Sequence, residues 1–155
     1  MHIKHIDKAE YTRLIKQGII ELRFMEEYHN DAYFYHLMNG KHEVVFAVYK
    51  NRDGLMPVIK LCGSRVYVGY GFSIDIIEQS TLQNCGHHSF CSPVYDLLIE
   101  SERVIAVTEL SIVLFDSFGN IVSIHEFNDI ITGYKIHNSR LFISTFDGNS
   151  YEIHL

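Results

Sequence analysis

The sequence predicts an all-β chain: a mainly antiparallel meander, closed as a sandwich or barrel or left as a partial propeller-like sheet, with one short helix at its start. Three observations carry this. Cys62-Gly63-Ser64-Arg65-Val66-Tyr67-Val68, Glu100-Ser101-Glu102-Arg103-Val104-Ile105-Ala106-Val107 and His137-Asn138-Ser139-Arg140-Leu141-Phe142-Ile143 each enter an apolar run through a small polar turn and an Arg. The arginines are 38 and then 37 residues apart, the mark of a repeated supersecondary unit. Tyr and Phe number ten each, against two prolines and no Trp, a composition that suits strands. Helical periodicity is confined to the first turns of the chain. At 155 residues a single domain over 1–155 is expected.

In chain order, Asp7 is an N-cap and Glu10, three residues on, completes a capping-box pattern. Tyr11, Leu14 and Ile15 then share a face, and Gly18 can end the helix, which is placed at 8–17. Ile19–Phe24 alternates in part, and Tyr28–Asp31 reads as a turn. Ala32–Leu37 is strand-like, Asn39-Gly40 is a hairpin signal, and Glu43–Tyr49 is a nearly unbroken apolar run. Asp53-Gly54 closes the next turn. Strands are expected at Val58–Leu61, Val66–Tyr70 and Phe72–Ile77. Residues 79–93 break the pattern and read as a long loop. The meander resumes over Tyr95–Glu100, Arg103–Thr108, Ser111–Asp116, Ile121–Phe127, Ile131–His137, Leu141–Phe146 and Tyr151–Leu155.

Arg140–Gly148 followed by Tyr151-Glu152-Ile153 resembles the inner hairpin of a β-propeller blade, and the likeness extends over about residues 57–155. About three such units fit, fewer than the four blades of the smallest propellers. Phe115-Asp116 and Phe146-Asp147 stand 31 residues apart, so the last unit reads as shortened.

Composition narrows function. A formal charge of −6 argues against nucleic-acid binding, which needs basic surface. It suits a basic protein partner. The first residues lack an apolar leader core, and no apolar stretch is long enough to span a bilayer. Three cysteines, an odd number, suit the reduced cytoplasm, where the protein is expected.

Residues that could carry chemistry are few. Cys85, His87 and Cys91 offer zinc-preferred donors, with Cys62 as a distant fourth. Their spacing matches no structural zinc pattern, and a polar loop is the simpler account. A Cys85 or Cys91 nucleophile with His87 or His88 as base has no visible orienting carboxylate. Gly69-Tyr70-Gly71-Phe72 sits within strand-like sequence and reads as a bend or bulge, not a phosphate cradle. Glu26-Glu27 are adjacent and point to opposite faces of a strand. Tyr33-Phe34-Tyr35 with Tyr28 and Tyr49 reads as core with an amphipathic rim. No catalytic centre and no cofactor are expected.

The best surface signal is a charge skew. Between Arg65 and Lys135 the only Lys or Arg is Arg103, while carboxylates gather at Glu100, Glu102, Glu109, Asp116, Glu126 and Asp129. Small, acidic, Tyr-rich and Trp-free, the chain as a whole resembles a bacterial immunity protein of the contact-dependent growth-inhibition or polymorphic-toxin type. That likeness rests on general character, so it transfers no residues. It implies a protein partner, often a basic nuclease, blocked by occlusion. Glu100, Glu102, Glu109, Glu126 and Asp129 are the expected acidic contacts, with Tyr95 and Phe118 as anchors. The alternatives are a non-enzymatic interaction or scaffold module with propeller-like repeats, and a metal-dependent enzyme using residues 85–91. Nothing in the chain fixes its oligomeric state.

Overall fold

A computed structural model describes residues 1–24, 32–49 and 55–155. The expected turns at Tyr28–Asp31 and Asp53-Gly54, and the Glu26-Glu27 pair, lie outside the described residues. The first sheet is built from β1 (His2–Ile6), β2 (Ile20–Arg23), β3 (Ala32–Asn39) and β4 (His42–Tyr49), in the order β1-β3-β4-β2. β2 runs parallel to β4, the one parallel pair among the described strands of a mainly antiparallel fold. The helix between β1 and β2, α1 (Lys8–Lys16), makes that parallel return possible by carrying the chain back along the sheet. Its N-cap is Asp7, whose carboxylate accepts the Glu10 N–H at 2.7 Å, and Gly18 at φ +89° ends it. Tyr11 and Leu14 pack on Ile6 and Val45, so α1 covers the outer face of this sheet.

The other strands form three antiparallel sheets in direct chain order. The second holds β5 (Val58–Cys62), β6 (Arg65–Tyr70), β7 (Ser73–Glu78) and β8 (Gln83–Ser89). The third holds β9 (Val94–Glu100), β10 (Arg103–Thr108), β11 (Ser111–Phe115) and β12 (Ile121–Glu126). The last holds β13 (Ile131–His137), β14 (Arg140–Thr145) and β15 (Ser150–His154). The sequence repeat marks the first hairpin of each sheet: Cys62 pairs with Arg65, Glu100 with Arg103 and His137 with Arg140.

Sheets stack face to face, and strand alternation divides each buried strand between two interfaces. Val66 and Val68 of β6 pack toward the first sheet with Leu37, Phe46 and Val48. Tyr67, on the opposite face, packs toward the third with Ile76, Leu97 and Phe115. Val104 and Ala106 of β10 join that second interface, while Ile105 and Val107 pack against Leu141, Ile143 and Ile153. A strand buried on both faces must be apolar throughout, which is why β6 and β10 read as continuous apolar runs. β14 alternates instead, with Leu141, Ile143 and Thr145 buried and Arg140, Phe142 and Ser144 exposed. Its register sets Lys135, His137, Arg140, Glu152 and His154 on the outer face, and Arg140 meets Glu152 at 2.8 Å. The stack thus ends in α1 on one side and a polar face on the other, as terminal repeats do.

One expectation is corrected, and one segment gains an assignment. Residues 79–93 are not one long loop: they contain β8, whose polar residues suit a strand at a solvated sheet edge. The His2–Ile6 segment, unassigned by sequence, pairs with β3 as β1. Phe115-Asp116 and Phe146-Asp147 are not equivalent, because the first pair follows the third strand of its sheet and the second pair follows the second strand. The last unit is nonetheless the shorter one, with three strands against four in the second and third sheets.

Two repeat turns place ordinary residues in the left-handed region: Ser101 and Glu102 at φ +48° and +63°, Asn138 and Ser139 at +50° and +56°. Type I′ hairpin turns demand this, and glycine meets the demand without steric cost. Glu102→Gly and Ser139→Gly should each raise stability by about 0.5–1 kcal/mol. A urea midpoint that stays put or falls in both variants would contradict the turn geometry.

Candidate functional site

Because β9 to β12 alternate in direction, the third sheet has two ends with different chemistry. At the first end lie the β9–β10 turn, with Glu100 and Glu102, and the β11–β12 turn from Asp116 to Asn120. Glu100 is half-buried and accepts a hydrogen bond from Ser139 Oγ at 3.3 Å. Phe118 is 71% exposed, with the Arg65 guanidinium 5.8 Å from its ring centre. Asp116 accepts from the backbone N–H of Phe118 and Asn120 and from the Asn120 amide, and those bonds, the Asn120 side chain foremost, hold its carboxyl below the usual range.

At the second end four segments are tied together by backbone. Glu109 N–H donates to Pro93 O at 2.9 Å, and Ile131 N–H to Glu109 O at 2.9 Å. Phe127 N–H reaches Leu110 O at 2.8 Å, and Phe146 N–H reaches Ile130 O at 2.9 Å. This brings Glu109, Glu126, Asp129 and Asp147 to one rim. Asp129 caps its own loop by accepting the Ile130 N–H at 2.8 Å. Exposed apolar groups stand among these carboxylates: Leu110, Ile124, Ile130, Phe146 at 78% and Tyr151. Of the cations in the last two sheets, Arg103 and Arg140 sit at the first end and Lys135 on the outer face, so none stands at this rim.

Two cavities flank the end of β12. One, of about 380 Å³, is lined by Phe90, Cys91, Leu110, Ile124 and Glu126 among others. The other, of about 400 Å³, is lined by His125, Asn128, Tyr151, Glu152 and Ile153. Phe127 borders both and packs edge-on against Tyr151 at 4.9 Å between ring centres.

The five expected acidic contacts therefore divide. Glu109, Glu126 and Asp129 share the second end, whereas Glu100 and Glu102 lie across the length of β10. Six residues at about 3.3 Å each separate them by roughly 20 Å. The expected anchors divide too: Tyr95, half-buried, opens β9 near the second end, and Phe118 is at the first.

Cys85, His87 and Cys91 do not converge. Cys85 occupies the bulge where Ile76 pairs with Gly86 and Ile77 with Asn84, and Cys91 lies beyond β8 in the link to β9. Among the described residues no three metal-ligating side chains come together. Burial pushes the Cys85 thiol above its ordinary value, and burial pushes Cys62 the same way. Maleimide labelling of Cys85 should therefore gain rate only above the pH at which a free thiol ionises; a midpoint at or below that of free cysteine would contradict this.

Sequence reading missed one cluster. Asp75, 1% exposed, accepts the Tyr70 hydroxyl at 2.5 Å, the Asn84 amide at 2.6 Å and His87 Nδ1 at 3.2 Å. His87 Nε2 then meets Ser89 Oγ at 3.0 Å. The register places Asp75 opposite His87, with Ser89 two residues along the same face. The carboxylate sought for a His87 base is thus present, but its bonds first satisfy a buried charge between apolar neighbours. A lone Asp inside Ser73-Ile74-Asp75-Ile76-Ile77 was the available signal.

Tyr67 and Tyr134 are both pushed up to about 12, chiefly by burial; for Tyr134 the Asp96 carboxylate, which accepts its hydroxyl at 3.1 Å, adds to this. A folded value above the unfolded one means that their contribution is complete below pH 10 and is lost as pH rises from about 10 to about 12. Alkaline denaturation should begin in that window. Stability unchanged through it would contradict their burial as neutral phenols.

No family model matches this chain, and no curated protein matches it. Among solved structures it is similar to BamB from Moraxella catarrhalis, at 10% identity and a TM-score of 0.54, over 78% of this chain and 37% of that one. It is also similar to BBS1N, solved in complex with ARL6DN, at 9% identity and a TM-score of 0.50, over 78% of this chain and 42% of that one. Both are β-propeller-like, and the likeness is one of fold. The chain spans less than half the length of either protein.

Proposed function

We propose that this chain is a protein-interaction module that engages its partner at the second end of the third and last sheets. The observation that supports it is the rim itself. Exposed Leu110, Ile124, Ile130, Phe146 and Tyr151 are interleaved with Glu109, Glu126, Asp129 and Asp147, and no Lys or Arg of those sheets stands beside them. Apolar anchors ringed by charge of one sign are the make-up of a surface that binds a basic protein: the apolar groups supply affinity and the charge speeds encounter. BBS1N, similar in fold, holds a protein, ARL6DN, in its crystal. Binding, not bond-making, is the role proposed here. The narrower form, neutralisation of a basic toxin by an immunity protein, rests on the same carboxylates.

The test is a quantitative pull-down from the source organism. A partner captured by the wild type should be lost with the Glu109→Lys/Glu126→Lys/Asp129→Lys variant and kept with Glu100→Lys/Glu102→Lys. The reverse pattern, or equal capture by all three, would remove the second end from consideration.

A further inference from the structure

Among the described residues β12 is a free edge of the third sheet, bonded to β11 on one side only. Open edges are normally blunted by polar residues, and β8, its counterpart in the second sheet, follows that rule with Gln83-Asn84-Cys85-Gly86-His87-His88-Ser89. β12 does not. Ile121, Val122 and Ile124 are 38%, 58% and 52% exposed on an edge whose outer backbone groups are open to pairing. The two cavities of about 380 and 400 Å³ lie on either side of its last residues, one toward the second sheet and one toward the last. A strand laid along β12 would send alternate side chains to the two sides. Glu126 borders both cavities, and Glu152 lines one.

We propose that β12 receives an extended basic segment of a partner protein, which adds as a fifth strand to the third sheet. Main-chain hydrogen bonds to the β12 edge supply affinity; the cavity lined by Phe90, Leu110 and Ile124 reads the apolar side chains of one face of the segment, and the cavity toward the last sheet takes the basic side chains of the other. Lysines or arginines of the segment meet Glu126, Glu109 and Asp129, and it is this charge that selects a basic occupant over a second copy of an acidic chain. The proposal rests on the interaction reading above and specifies how the partner is held.

The probe is a short fluorescent peptide of alternating lysine and valine, followed by anisotropy at physiological salt. The wild-type protein should bind it. Ile124→Lys, at a half-exposed edge position that leaves the core intact, should weaken binding at least about tenfold, as should Glu126→Lys. Methylating alternate backbone nitrogens of the peptide keeps its charge and removes its edge donors, and should cost a similar factor. No binding by the unmethylated peptide, equal binding of the methylated one, or equal binding by Ile124→Lys would overturn the proposal. So would light scattering that finds a wild-type dimer which Ile124→Lys makes monomeric, since β12 would then serve self-pairing. Any of these outcomes, alongside partner capture that still depends on Glu109, Glu126 and Asp129, would leave the interaction reading standing and remove only the strand-addition mode.

Discussion

Phe115→Ala should cost about 3–5 kcal/mol of folding stability. Phe115 is fully buried at the end of β11, between the second and third sheets. Its ring lies 6.1 Å from that of Tyr67 and 5.1 Å from that of His88, both edge-on. Ile74, Ile76, Leu97 and Val104 complete the cluster. With Tyr67 and His88 these neighbours come from five strands in two sheets, so the surroundings cannot collapse onto the space without moving one sheet against the other. A loss of that size is a large share of the roughly 5–15 kcal/mol that holds a domain folded. Urea unfolding should show a much lower midpoint with an unchanged slope. A loss under about 1 kcal/mol would mean that the second and third sheets do not share a packed interface.

The second large effect is expected at Asp75. Asp75→Leu removes the acceptor for the Tyr70 hydroxyl, the Asn84 amide and His87 Nδ1 in one step. Taking one partner from a buried network leaves the remaining polar groups with the cost of desolvation, about 2–4 kcal/mol here. Tyr70→Phe alone should cost about 1 kcal/mol. The double variant should then be less destabilised than the sum of the singles by about 1 kcal/mol, because the hydroxyl is no longer present to lose its acceptor. Strict additivity would show that the 2.5 Å Tyr70–Asp75 bond does not act in the folded state.

The scaffold was legible in the sequence because its signals are local. Each Arg that opens the second strand of a sheet follows a hairpin turn, and turn chemistry is written in adjacent residues. Asp7 and Gly18 marked the ends of α1 for the same reason. β8 was missed because Asn84, His87 and Ser89 carry no hydrophobic alternation at a solvated edge, and hydrophobic alternation is what a strand prediction reads. The parallel β2–β4 pair was missed because strand partners are chosen by long-range contacts.

The site was half legible. A charge skew along the chain showed that carboxylates gather between Glu100 and Asp129. It could not show that Glu102 and Glu109, seven positions apart, are on opposite ends of one strand. Only the strand direction divides them. Leu110, Ile124 and Phe146 gave no surface signal in sequence, since an apolar residue near a turn looks like any other core residue until its sheet is stacked. The Asp75–His87–Ser89 alignment needed the register of β7 against β8, including the bulge at Ile76/Ile77.

Hydrogen exchange of the chain, alone and with the captured partner, tests the account most directly. Amides from Ile121 to Asn128, with those of Glu109 and Leu110, should exchange more slowly in the complex, and the turns at Ser101-Glu102 and Asp116–Asn120 should be unchanged. Protection confined to those two turns, with β12 exchanging as freely as before, would contradict it.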